Sequence, residues 1–223
     1  MKKFKIVFAT ILIMLLICEI SFAQDNINNI DLSKVGDSNI WEVFNRKVSV
    51  SNENGDVVLN FNSQPGDGFA SLKNMEFTNG TIEADIKGKD VQGNSFVGIA
   101  FRGVNDSTFD AVYFRPFNFL SDDSARKSHS VQYISQPVYT WSKLRAEHTG
   151  EYEYRIDNPP DPNSFFHAKI VIEKPKISVY VNDAEQPCLV VNELSERKAG
   201  WIGLWVGNYS DGAFANLKIS EKK

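Results

Sequence analysis

Of 223 residues only two are cysteine, Cys18 and Cys188, and only three are histidine. Cys18 falls in a leader-like segment, so Cys188 has no intramolecular partner and a disulfide scaffold is excluded. His129, His148 and His167 lack the short spacing of a metal site such as H-E-x-x-H. Gly-rich phosphate loops, a G-x-S-x-G elbow and paired C-x-x-C motifs are all absent, which leaves nucleotide chemistry and serine hydrolysis without support. Positive charge is also scarce. The net charge of −4 for the whole chain becomes −6 once three lysines and one glutamate leave with the leader. Such a balance offers no footprint for nucleic acid or for an anionic membrane surface. No apolar run after the leader is long enough to cross a bilayer.

What is present begins with an export signature. Lys2, Lys3 and Lys5 precede an apolar run from Ile6 to Ile17, and Ser21-Phe22-Ala23 forms a small-x-small cleavage site before Gln24. Residues 1–23 are therefore expected to be a signal peptide, 24–30 a short N-terminal segment, and 31–223 a single domain. The expected location is periplasmic or extracellular. A lipoprotein acylated at Cys18 is disfavoured, because Ile17 stands where a small residue is needed.

Short strand-like runs with turn punctuation fill the rest. Lys47–Ser51 and Val57–Phe61 flank Asn54-Gly55, a tight-hairpin signal. Others follow at 68–72, 80–87, 96–102, 109–115, 129–134, 168–173, 176–181, 188–191, 200–207 and 213–220. This spacing predicts an all-β, two-layer antiparallel sandwich of jelly-roll type. One short helix is predicted near 141–148, with Thr140 as its cap and Gly150 as its stop.

Three runs between Phe96 and Tyr133 carry the strongest functional signal. Strand alternation sets Val97, Ile99 and Phe101 against Gly98, Ala100 and Arg102, and sets Val112 and Phe114 against Tyr113 and Arg115. Val131 and Tyr133 likewise oppose Ser130 and Gln132. The polar side reads as a platform for a polar ligand, with Arg102, Tyr113, Arg115 and Gln132 as binding residues. Trp205 joins them as a surface for stacking on a sugar ring. An acid or base is expected from His129, Asp110 or Glu147. Asp106, Asp110, Asp122 and Asp123 form an acidic cluster that calcium would accept, but turn chemistry explains them without a metal and is the favoured reading, so no cofactor is assigned.

Glu83-Ala84-Asp85-Ile86-Lys87 resembles the E-x-D-x-E strand of family 16 glycoside hydrolases, with Lys87 in place of the last carboxylate. A broader resemblance lies in the order Gly98-Ile99-Ala100-Phe101-Arg102, Ser130-Val131-Gln132, Gly200-Trp201-Ile202-Gly203-Leu204-Trp205 and Phe214-Ala215-Asn216-Leu217-Lys218-Ile219. It is similar to the 3-keto-disaccharide hydrolase domain family, a concanavalin A-like sandwich. That resemblance implies an oligo- or polysaccharide partner held on the concave sheet face, and cleavage of a glycosidic bond. Ser130 stands where that family has glutamate and Trp205 where it has glutamine, which favours binding over cutting. The alternative is a non-enzymatic, laminin-G-like adhesion domain that uses its loops.

Overall fold

The computed structural model describes residues 26–222; the leader-like segment lies outside the described residues. Two antiparallel sheets stack face to face. One runs β13 (Leu189–Asn192), β12 (Lys176–Val181), β11 (Phe166–Glu173), β6 (Gly80–Lys87), β15 (Gly212–Glu221), β4 (Asp56–Phe61), β3 (Val48–Glu53), and β1 (Asn26–Asn29) also pairs with β15. The other runs β10 (Glu153–Tyr154), β9 (Val131–Ser135), β8 (Thr108–Phe114), β7 (Val97–Asn105), β14 (Trp201–Val206), β5 (Gly68–Leu72), β2 (Trp41–Phe44). The all-β sandwich expected from the strand spacing is the fold observed.

Alternation decides which side of each strand enters the core. In β6, Ile82, Ala84 and Ile86 are buried while Thr81, Glu83 and Asp85 are half-buried outside, and β11 repeats the pattern with Ala168, Ile170 and Ile172 inside. These meet Ile99, Val112, Tyr133, Ile202 and Leu204 from the facing sheet. Each such aliphatic side chain removed from water contributes about 1.5–3 kcal/mol. The rings of Phe114 and Phe166 add an edge contact between the layers at 5.0 Å. Where the chain must turn tightly, Asn54 and Gly55 take φ values of 53° and 96° and close the β3–β4 hairpin, as the Asn-Gly pair predicts.

Three short helices decorate the second sheet: α1 (Pro116–Phe119), α2 (Ser124–Lys127) and α3 (Trp141–Glu147). The Thr140 side chain accepts a bond from Lys143 N at 3.3 Å and starts α3 at its expected position. The helix ends at His148, before the left-handed Gly150.

The β7 strand breaks its alternation. It gains one residue against β14 between Ala100 and Gly103 and two against β8 between Phe101 and Asn105, a bulge in which Arg102 takes a φ of 54°. Ala100 and Gly103 therefore both face outward, and Arg102 turns to the inner side.

Candidate functional site

The outer face of the β10–β2 sheet carries one continuous row of paired residues. Glu153 pairs with Gln132, Gln132 with Tyr113, Tyr113 with Gly98, Gly98 with Trp205, Trp205 with Phe69, and Phe69 with Phe44. Period-two geometry puts all seven on one side of the sheet. The row is polar at the β10 end and aromatic at the β2 end. Gly98 is required at its centre, since a Cβ there would lie 2.2 Å from Val112 O and 2.6 Å from Tyr113 Cα. Over that gap the Tyr113 and Trp205 rings approach to 5.2 Å.

At the polar end the groups interlock. Arg115, one residue beyond β8, is 4% exposed and lies over the Tyr113 ring at 4.8 Å. Its guanidinium donates to Tyr113 Oη at 2.6 Å, to His129 O at 2.9 Å and to Gln132 Oε1. Tyr113 Oη donates to the same Gln132 oxygen at 2.7 Å. Glu153, 3% exposed, accepts a forked pair from Arg145 at 2.9 and 2.7 Å. The same carboxylate lies 2.9 Å from His129 Nδ1 and 3.5 Å from Arg115 Nη1. Three cationic or potentially cationic groups thus share one acid. Gln132 Nε2 is buried there with no hydrogen-bond partner.

Arg115, His129 and Arg145 of this cluster border a cleft of about 440 Å³, joined in its walls by Arg126, Trp141 and Trp205. Burial lowers the basicity of the Arg115 guanidinium, whereas the forked bond to Glu153 raises that of Arg145. Burial also holds the His129 imidazole below its ordinary value of 6.5, outweighing the pull of Glu153. His129 is thereby kept neutral near pH 7, with Nδ1 beside the Glu153 carboxylate. Burial drives the Tyr113 hydroxyl up to about 12, so it stays protonated as a donor.

Tyr113, Arg115, Gln132, His129 and Trp205 are brought together as the alternation predicts. The other expected residues are not. Arg102, turned inward by the bulge and 0% exposed, bonds Glu193 Oε1 at 2.9 Å, Lys198 O at 2.5 Å and Thr78 O. Asp110 shares the inner side with Val112 and is bound by Ser195 at 2.7 Å, Tyr133 at 3.1 Å and Arg197. Both fasten the segment after β13 across the end of the sandwich. Glu147 is exposed on α3 and meets Lys143 at 3.8 Å, away from the cleft. Trp205 is itself only 3% exposed; the indole open to solvent is Trp141 at 50%, with Arg145 5.2 Å over its ring.

Glu83 and Asp85 lie on the outer face of the opposite sheet, where His167 bridges them at 3.0 and 2.8 Å. They are a layer removed from the cleft, so the Glu83–Asp85 pair does not face it. Asp123 caps α2, in keeping with the turn chemistry favoured for these aspartates, and Asp110 is paired with Arg197. Among the described residues no group of three His, Cys, Asp or Glu side chains is placed to hold a metal ion. Glu153, Arg126 and Arg145 carry no period-two signal that singles them out, because they come from a two-residue strand and two short helices.

No protein-family model matches the chain, and no curated protein matches it in sequence. Solved structures match in shape. The carbohydrate-binding module CBM66 from Bacillus subtilis aligns at 20% identity with a TM-score of 0.58, over 81% of this chain and 95% of that one. A β-glucanase from Bacillus licheniformis aligns at 16% identity and 0.51, over 89% and 97%. The exoplasmic/lumenal domain of VIP36, in a Ca2+/Man3GlcNAc-bound form, aligns at 10% identity and 0.53, over 82% and 84%. At these identities the likeness is one of fold.

Proposed function

We propose that the chain is an exported glycan-binding protein that holds an oligo- or polysaccharide in the cleft on the outer face of the β10–β2 sheet. The observation that carries this reading is the set of Arg115, His129 and Arg145, gathered on the buried Glu153, beside the Trp141 and Trp205 rings around one cleft. Sugars present hydroxyls on their rims and C–H faces above and below, so they need forked donors and acceptors next to an aromatic plane. The sandwich fold shared with a carbohydrate-binding module and a glucanase supports the same reading. The test is calorimetric titration with a panel of oligosaccharides, wild type against Trp141→Ala. Binding that Trp141→Ala weakens tenfold or more is expected; binding lost only on changes in the Pro-rich segment 156–162 would favour a laminin-G-like adhesion domain.

A cleaving activity like that of the 3-keto-disaccharide hydrolase family is the second reading, favoured by the neutral His129 beside Glu153. In a 3-keto glycoside the ketone acidifies the neighbouring C–H. His129 takes that proton, the glycosidic C–O bond breaks with its electron pair on the aglycone oxygen, and the imidazolium returns the proton to it; water then adds across the new double bond. Released aglycone from 3-keto glycosides, abolished in His129→Ala, is the expected result, and sugar binding without release leaves recognition alone.

Export rests on the first 23 residues. No helix among the described residues is long and apolar enough to cross a membrane. Secreted material beginning at Gln24 is the expected product, and an acylated chain beginning at Cys18 would replace this reading with lipid anchoring.

A further inference from the structure

The charges around the cleft do not balance. Glu153 is the carboxylate of the polar cluster, and its forked pair with Arg145 already neutralises it. Arg115, buried and 3.5 Å from the same acid, has only a share in that one negative charge. Arg126 has none. Its Nη2 donates to Phe117 O at 2.9 Å and its Nε lies 3.4 Å from Asn118 Oδ1, and among the described residues no carboxylate forms an ion pair with it. Asp90, Asp122 and Asp123 lie with Arg126 around an adjoining surface depression, outside the cleft, and Asp123 turns its carboxylate to the N-terminus of α2. At the aromatic end Asp67 feels the charge of Arg46, so it does not offset the arginines. A chain that is acidic overall thus presents a cleft with an excess of guanidinium.

We infer that the cleft selects an anionic glycan, one whose sugar carries a uronate carboxylate or a sulfate ester, with Arg126 and Arg115 as the groups that receive the charge. This rests on the glycan-binding reading above and narrows it. A guanidinium fork matches a planar carboxylate or two sulfate oxygens, and such charge-assisted bonds are about twice as strong as neutral ones. A neutral sugar would leave the excess charge uncompensated in a partly desolvated site, which is the costly arrangement. Wherever the anionic group sits on the ring, Trp141 remains available to its apolar face.

The experiment compares matched oligosaccharides of the same length and linkage that differ only in their anionic group: glucuronan against glucan, galacturonan against galactan, mannuronan against mannan, and a sulfated galactan against its desulfated form. Calorimetric titration at about 0.05 and 0.5 M salt spans the range over which exposed charges become screened. At least one anionic member is expected to bind tenfold or more tightly than its neutral twin, and to lose most of that advantage at the higher salt. The uronate and sulfate arms identify which anion is taken. Arg126→Gln is expected to remove the preference for the anionic member, with circular dichroism verifying the fold. A neutral member binding as tightly as its anionic twin overturns the inference and leaves the glycan reading standing. Failure of every member to bind overturns both.

Discussion

Two histidines set opposite pH dependences on the same fold. His129 is held below 6.5 by burial, so its contribution to stability is present above 6.5 and is lost as pH falls through that value toward its lowered folded one. His167, raised by its bonds to Asp85 and Glu83, contributes fully below 6.5 and loses that contribution as pH rises through its folded value. Chemical denaturation as a function of pH is expected to show both slopes. His129→Gln flattens the acidic one and His167→Gln the alkaline one. Glu153 has a different kind of weight, because removing it leaves Arg115 buried without any acid. Glu153→Ala is expected to cost about 3–5 kcal/mol in urea unfolding and to abolish glycan binding. Gly98→Val forces a methyl-bearing carbon into Val112 O and Tyr113, and overpacking of that severity costs about 1–3 kcal/mol or more. It is expected to reduce affinity as well as melting temperature, because the Tyr113–Trp205 contact spans that glycine.

At the scale of strands, what the sequence made legible and what it hid follow from periodicity. Alternation placed Tyr113, Arg115 and Gln132 on one face and Val112, Phe114 and Tyr133 on the other, and the sheet keeps that order. It fails at Arg102 because a bulge shifts the register of β7 against both neighbours, and no pattern in Phe101-Arg102-Gly103 announces that shift. It misses Glu153 because two residues are too few to establish a period, within a stretch the prolines make irregular. It takes Asp110 for a cleft residue on residue type alone, although Asp110 shares its side of β8 with Val112. The segment that Arg102 and Asp110 hold is an element in its own right: Glu193, Leu194, Ser195, Arg197 and Lys198 bond Arg102, Tyr133 and Asp110 in turn. Arg102→Ala leaves Glu193 to Lys174, 3.3 Å away, and gives up the guanidinium bonds to Thr78 O and Lys198 O, so it is expected to lower stability by about 1.5–3 kcal/mol. Sugar affinity of the folded protein is expected to stay within twofold of wild type, which calorimetry on the purified variant checks.

At the scale of the whole molecule, the two layers divide their labour. The sheet with β6 and β11 supplies one wall of the core and an outer face of paired charges, while the facing sheet supplies the other wall and the cleft. The fold was readable because a dozen short strands of regular spacing have few other ways to bury their apolar sides. The row from Glu153 to Phe44 crosses all seven strands of its sheet, joining residues whose positions in the chain run from 44 to 205. Pairings so distant in sequence close late, after much loop entropy has been lost. The cleft is complete only when the distant Trp205 has paired with Gly98, and a glycan that binds the completed cleft is expected to act as a brake on the way out. In stopped-flow measurements, saturating ligand is expected to slow unfolding and leave the refolding rate unchanged.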